Sequence, residues 1–221
     1  MTSITRRFDL IVFDWDGTLY DSTALITRCI QASCADVGVA VPTDRDASYV
    51  IGMGLTAALQ HAAPDLPRER YPELAARYRH HYVAREHEIA FFDGTLTMLN
   101  ALKARGHLLA VATGKSRRGL DDALGTSVLK GLFDASRTAD ETASKPDPRM
   151  LHELMDQLDT DPARTLMIGD TTHDLLLAAN AGTASVGVSY GAHEPSEFHA
   201  YAPLHVAHST AELSHWLQEH A

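Results

Sequence analysis

Cysteine is scarce in this 221-residue sequence, lysine is absent before Lys103, the net charge is not positive, and no long apolar run occurs. Cys29 and Cys34 have neither metal-ligand nor redox spacing and share a helix-like stretch with apolar neighbours. That argues against a disulfide scaffold or a zinc site and leads us to expect buried thiols in a reducing cytoplasm. No apolar run approaches bilayer length, and Asp9, Asp14 and Asp16 interrupt the N-terminal one, so a soluble, unprocessed chain that enters no membrane is expected. A formal net charge of −10 opposes non-specific binding to nucleic acid or anionic lipid. The partner this leaves is a small anion drawn in by local charge. With 45% apolar residues, the chain can bury a substantial core in one large domain or two unequal ones.

What is present begins with Leu10-Ile11-Val12-Phe13, which runs straight into Asp14-Trp15-Asp16-Gly17-Thr18. A short β-branched and aromatic run ended by turn residues reads as a buried strand. Its carboxylates then sit where α/β folds place their ligand crevice, beyond the carboxyl ends of the strands. Asp and Gly also favour plain turns. A calcium loop needs a third acidic or amide residue and a Gly at its sixth place; counting from Asp14, Thr18 and Leu19 stand at the fifth and sixth.

The same grammar recurs twice. Leu108 to Ala112 runs into Thr113-Gly114-Lys115, and Thr165 to Ile168 runs into Gly169-Asp170-Thr171-Thr172-His173-Asp174. Between them Lys145 stands in Ser144-Lys145-Pro146-Asp147-Pro148, whose prolines suit a fixed loop leading into a helix. Gly114-Lys115-Ser116 imitates the end of a nucleotide-binding loop, but Leu109 occupies the place of its first glycine. Lys115 is therefore read either as a minor phosphate contact or as a solvated residue.

Between Thr18 and Phe92 the strand grammar vanishes. Leu25, Ile26, Cys29, Ile30, Ser33 and Val37 fall at helical spacing, opened by Ser22 and closed by Gly38. Further helices are predicted from Asp44 to Ile51, Leu55 to Ala63 and Pro67 to about Glu86, the last with Leu74, Ala75, Tyr78 and Tyr82 on one stripe. A helix carrying Leu96, Leu99 and Leu102 ends at Gly106, and alternating strands and helices follow, with Val186 and Val206 on the last strands. Thirteen histidines invite a metal site, but His80, His81 and His87, and likewise His205 and His208, have no carboxylate or Cys partner at ligand spacing and read as solvated or partly packed.

Taken in order, Asp14-Trp15-Asp16-Gly17-Thr18, Thr113, Lys145 and Gly169-Asp170 with Asp174 resemble the four motifs of the haloacid dehalogenase superfamily. The layout is most similar to its phosphoglycolate phosphatases. The resemblance implies an α/β fold: a Rossmann-like three-layer core with a mostly parallel sheet, formed by residues 1–18 and 88–221, and a small all-helical cap domain over 19–87. It implies a phosphatase that hydrolyses a small phosphate monoester through an aspartyl phosphate. Asp14 is then the nucleophile and Asp16 the general acid and base, with negative charge expected around Asp16. Thr113 donates its hydroxyl to phosphate and Lys145 offsets charge. Asp14, the backbone carbonyl of Asp16 and Asp170 hold Mg²⁺, while Asp174 holds Lys145 or a metal-bound water. Trp15, Gly17, Thr18, Gly114 and Lys115 are expected at the phosphate, and the cap loop Gly52, Met53 and Gly54 at the rest of the substrate.

The chemistry is consistent with those residue types. A phosphate dianion repels any attacking carboxylate, so a cation and donors must stand between the charges, and magnesium takes one or two carboxylates while keeping waters. Asp16 separates the chain from dehalogenases, which lack that acid, and the lysine-free N-terminal segment from phosphonoacetaldehyde hydrolases, which need a cap lysine. A sugar phosphomutase or phosphotransferase remains as the alternative, disfavoured because Gly54-Leu55 lacks the basic residue mutases carry there. The complete acid set argues against a non-catalytic binding module. Arg45 and Arg85 are the nearest cap cations for a substrate carboxylate. The expected partner is a small phosphorylated metabolite, with glycolate phosphate, sugar phosphates and nucleotides all open, and monomer and small homo-oligomer are not distinguished.

Overall fold

A computed structural model describes residues 6–125 and 128–221. Six parallel strands form one sheet in the order β3-β2-β1-β4-β5-β6. They are β1 (Leu10–Phe13), β2 (Leu108–Thr113), β3 (Ala135–Thr138), β4 (Thr165–Gly169), β5 (Ala184–Val188) and β6 (Val206–Ala207). Strand β1 lies centrally, with Phe13 in register with Val111 of β2 and Ile168 of β4. This is the doubly-wound order, in which the chain reverses direction across the sheet at β1.

Alternation along the strands sorts the core into two layers. Ile11, Phe13, Val111, Leu166 and Ile168 pack on one face against Met98, Leu99 and Leu102 of α5 (Thr95–Ala104), Leu120 of α6 (Arg117–Leu124), and Leu213 and Leu217 of α9 (Thr210–His220). Leu10, Val12, Ala110, Ala112 and Met167 pack on the other, against α7 (Arg149–Leu158) and α8 (Thr172–Ala181). Burying both faces requires the apolar runs from which these strands are read. The exception is edge strand β3, Ala-Ser-Arg-Thr, which has no apolar signature and pairs on one side only.

Between β1 and α5 lie four helices, α1 (Thr23–Asp36), α2 (Asp44–Tyr49), α3 (Leu55–Ala62) and α4 (Tyr71–Arg85), the last preceded by a 3₁₀ turn over Arg68–Arg70. They close around their own apolar cluster, including Ile26, Ile30, Cys34, Val50, Leu59 and Leu74. Cys29 and Cys34 are both buried and free. No described helix is long and apolar enough to cross a membrane.

Candidate active site

Asp14, Thr113 and Asp170 stand at the carboxyl ends of three adjacent strands, and all are buried. Lys145 comes from the loop before α7, and Asp174 from the first turn of α8, where it forms a capping box with Thr171. One ligand oxygen from each of Asp14, Asp170 and Asp174 lies within 4.8 Å of the others. Lys145 Nζ bridges two of them, 2.7 Å from Asp14 Oδ1 and 2.6 Å from Asp174 Oδ1. It is aligned as a hydrogen bond toward Asp174 and pairs with Asp14 through charge, so that among the described residues neither carboxylate oxygen of Asp14 has an aligned hydrogen-bond donor. Asp174 Oδ2 accepts from the amide and hydroxyl of Thr171.

One cation thus faces three buried carboxylates. Burial pushes the Asp14 carboxyl well above the ordinary range, an effect that Lys145 opposes and the charges of Asp174 and Asp170 reinforce. Burial, then the charge of Asp174, pushes Asp170 up to about 7. Burial alone would lower the Lys145 ammonium; the charges of Asp14 and Asp174 outweigh it and hold the group above an ordinary lysine. Excess negative charge, oxygen-only donors and two orphaned oxygens on Asp14 fit a hard divalent cation. Lys145 and Thr171 occupy both oxygens of Asp174, and each oxygen of Asp170 accepts one hydrogen bond as well, so Asp14 is the member of the set with open oxygens.

Several expected residues lie at this centre in unexpected roles. Thr18 donates its hydroxyl to Asp170 Oδ1 at 2.8 Å, so it orients a carboxylate, and Ala192 N–H holds Asp170 Oδ2 at 2.7 Å. Trp15 is buried against Tyr20, Phe91 and Phe133, which leaves only its backbone for a ligand. Gly17 has φ +83°, and a Cβ there would run into the Asp170 carboxylate.

Asp16 differs most from expectation. The charge beside it is positive: Lys115 Nζ lies 3.1 Å from each carboxylate oxygen, while Ser22 Oγ donates to Oδ1 at 2.8 Å. Lys115 is therefore neither solvated nor free for phosphate. Its ammonium also donates to Tyr82 of α4 at 2.9 Å, and its amide donates to the Thr113 hydroxyl at 3.1 Å. Ser22 precedes α1 but makes no side-chain cap; its hydroxyl serves Asp16 instead.

The loop Gly52-Met53-Gly54 lies against the same strand ends. Gly54 N–H donates to Ser144 Oγ at 2.8 Å, one residue before Lys145. A Cβ on Gly114 would fall 2.7 Å from the Gly52 carbonyl oxygen and closer still to that of Met53. Two histidines unmarked in the sequence, His173 and His193, both place Nε2 2.9 Å from the Tyr49 carbonyl, and the Tyr49 ring stacks on His193. His193 Nδ1 accepts from the Thr172 amide, which puts its proton on Nε2. Arg45 and Arg85 are taken up by Glu197 and Glu88. His81 and His205 do meet carboxylates in space, Asp36 and Glu212, but as isolated pairs; among the described residues the metal-capable group is Asp14, Asp170 and Asp174.

Comparison with known proteins identifies the family. The chain is 34% identical to a probable phosphatase, IndB, of Dickeya dadantii, over 92% of this chain and 91% of that one. It is 31% identical to a 5'-nucleotidase of Pseudomonas aeruginosa over the whole of both chains. It is also 31% identical to a phosphoglycolate phosphatase of Agrobacterium fabrum, over 82% and 81%. The family model for haloacid dehalogenase-like hydrolases matches residues 11–188, which takes in all of the strand-end acids, and the chain belongs to that family.

Proposed function

We propose that this protein is a Mg²⁺-dependent phosphatase that hydrolyses a small phosphate monoester, with Asp14 as nucleophile. The observation that carries the reading is Asp14 itself: a fully buried carboxylate at a strand end, both oxygens without a hydrogen-bond donor, beside the buried ammonium of Lys145. A buried carboxylate that has the Lys145 charge beside it but no donor aligned on either oxygen is costly to fold around. It suits an atom that must attack.

Asp14, the backbone carbonyl of Asp16 and Asp170 would hold Mg²⁺, which supplies charge neutralisation of the phosphate oxygens. A carboxylate oxygen of Asp14 bonds to phosphorus as the ester oxygen leaves, and Asp16 gives that oxygen a proton. Asp16 then takes a proton from the water that cleaves the aspartyl phosphate, freeing inorganic phosphate and restoring Asp14. Thr113 donates to a phosphate oxygen, and Asp174 keeps Lys145 beside Asp14. The helices of residues 19–87 serve as a cap, with Gly52, Met53 and Gly54 closing the site from above to exclude water and select the substrate.

The relatives' names span a nucleotidase and a phosphoglycolate phosphatase, so the substrate class proposed is a small phosphorylated metabolite. A panel of phosphometabolites and an aryl phosphate, assayed with and without Mg²⁺, tests this. Inorganic phosphate released into water only with Mg²⁺ supports it. Phosphate moved to a second position of a sugar, or no turnover at all, overturns it.

A further inference from the structure

Lys115 joins two parts of the molecule that are separate in sequence. Its three ammonium protons have three oxygens in reach, both of Asp16 at 3.1 Å and Tyr82 Oη at 2.9 Å, and Nζ lies 4.9 Å from the centre of the Tyr82 ring. Its side chain is only 13% exposed and that of Asp16 12%. Asp16 and Lys115 follow β1 and β2 of the sheet, whereas Tyr82 lies in the last turn of α4, within the helical block. The chain Tyr82, Lys115, Asp16 therefore exists only while the block is seated on the sheet.

A lysine side chain has four rotatable carbons, and an acid that must reach a leaving oxygen depends on geometry before anything else. Two anchors restrain Lys115: its amide on Thr113 and its ammonium under Tyr82. Without the Tyr82 hydroxyl, the ammonium loses its hydrogen bond to the helical block and keeps only the weaker contact with the ring, and Ser22 remains as the fixed partner of Asp16 among the described residues.

We propose that Tyr82 is a positioning residue that, through Lys115, holds Asp16 in its acid–base geometry and so makes proton transfer conditional on a closed cap. This rests on the phosphatase reading above. Because Tyr82 acts on the acid and not on the nucleophile, its loss falls on esters whose leaving oxygen needs a proton. A residue that only bound phosphate would affect all esters alike.

The test uses the full chain with Mg²⁺: wild type, Tyr82→Phe, Lys115→Met and the double variant. Two substrates are compared, 4-nitrophenyl phosphate and the alkyl phosphate best turned over in the metabolite panel. Tyr82→Phe removes one hydroxyl and keeps the ring. It is expected to lower kcat on the alkyl ester about tenfold, the scale of one hydrogen bond to a charged group, and several-fold less on the aryl ester, with the loss in kcat and not in KM. In the Lys115→Met background, the added Tyr82→Phe change is expected to have almost no further effect on that ratio, because the lysine carries the coupling. The alkyl-to-aryl ratio is independent of how much enzyme is folded, so partial unfolding cannot mimic the result. Equal losses on both esters, a change confined to KM, or full additivity in the double variant overturns the inference while leaving the phosphatase reading intact. A wild type inert toward both esters overturns the two together.

Discussion

Asp14 and Asp16 are two residues apart in sequence and occupy opposite electrostatic settings. Around Asp14 every contributor comes from the sheet and its crossover loops: Lys145, Asp170, Asp174 and Thr171. The result is fully buried, short of positive charge and complete without the helical block. Around Asp16 the donors are Lys115 of the sheet, Ser22 at the entrance to α1, and behind the lysine Tyr82 of α4. In the proposed mechanism the nucleophile then rests on the sheet and its crossovers, and the acid on contacts that reach into the helices of residues 19–87.

That contrast can be broken most decisively at Asp14. Asp14→Asn is expected to abolish turnover of alkyl and aryl esters alike, by a factor on the order of 10⁶, the scale of losing a covalent nucleophile. Steady-state assays on both esters check this, and leaving-group selectivity in this variant would erase the distinction between the two centres.

The two lysines sharpen it next. Lys145→Met leaves three buried carboxylates without a cation and is expected to cost about 3–5 kcal/mol in the metal-free protein. Lys115→Met leaves a buried Asp16 still bonded to Ser22 and is expected to cost about 1–3 kcal/mol. Urea unfolding midpoints of the two variants measure the difference, and equal costs would show that the centres are not differently built.

Gly114→Ala addresses the seating of the Gly52-Met53-Gly54 loop on the strand ends. The new Cβ meets the Gly52 and Met53 carbonyls, so kcat/KM is expected to fall up to about 100-fold, as when bound groups are displaced by about 1 Å, with little change in melting temperature.

The last contrast lies in the pH dependence of the metal-free protein. The folded Asp170 keeps its proton up to about 7, whereas the unfolded chain releases it near 3.8. The folded state therefore holds more protons across that window. Stability contributed by this group is full below about pH 4, falls as pH rises toward 7, and is flat above. Melting temperatures from pH 4 to 8 should show that slope in wild type and a shallower one in Asp170→Asn, Asp14 supplying the remainder.

Much of this was legible in the chain. Three apolar runs ending in Asp, Thr and Asp gave the three central strands because a strand buried on both faces must be apolar throughout, and the four helices between Thr18 and Phe92 followed from their 3.6-residue periodicity. Edge strand β3 escaped because Ser136 and Arg137 on a half-paired strand need no such pattern. Ser22 was misread as a helix cap because a hydroxyl before a helix gives the same signal whether it bonds the helix or a carboxylate six residues back. Tyr82 was visible only as one member of a packing stripe, and His173 and His193 carried no signal at all.

What the sequence by itself determined is the order of strands and helices and the identity of the acids that end the strands, since periodicity and turn chemistry are local. What only the tertiary structure decided is the sign of the charge beside each acid. Lys115 and Asp16 are 99 residues apart and Tyr82 lies 33 from Lys115, and charges act through distance in space, which no local pattern records.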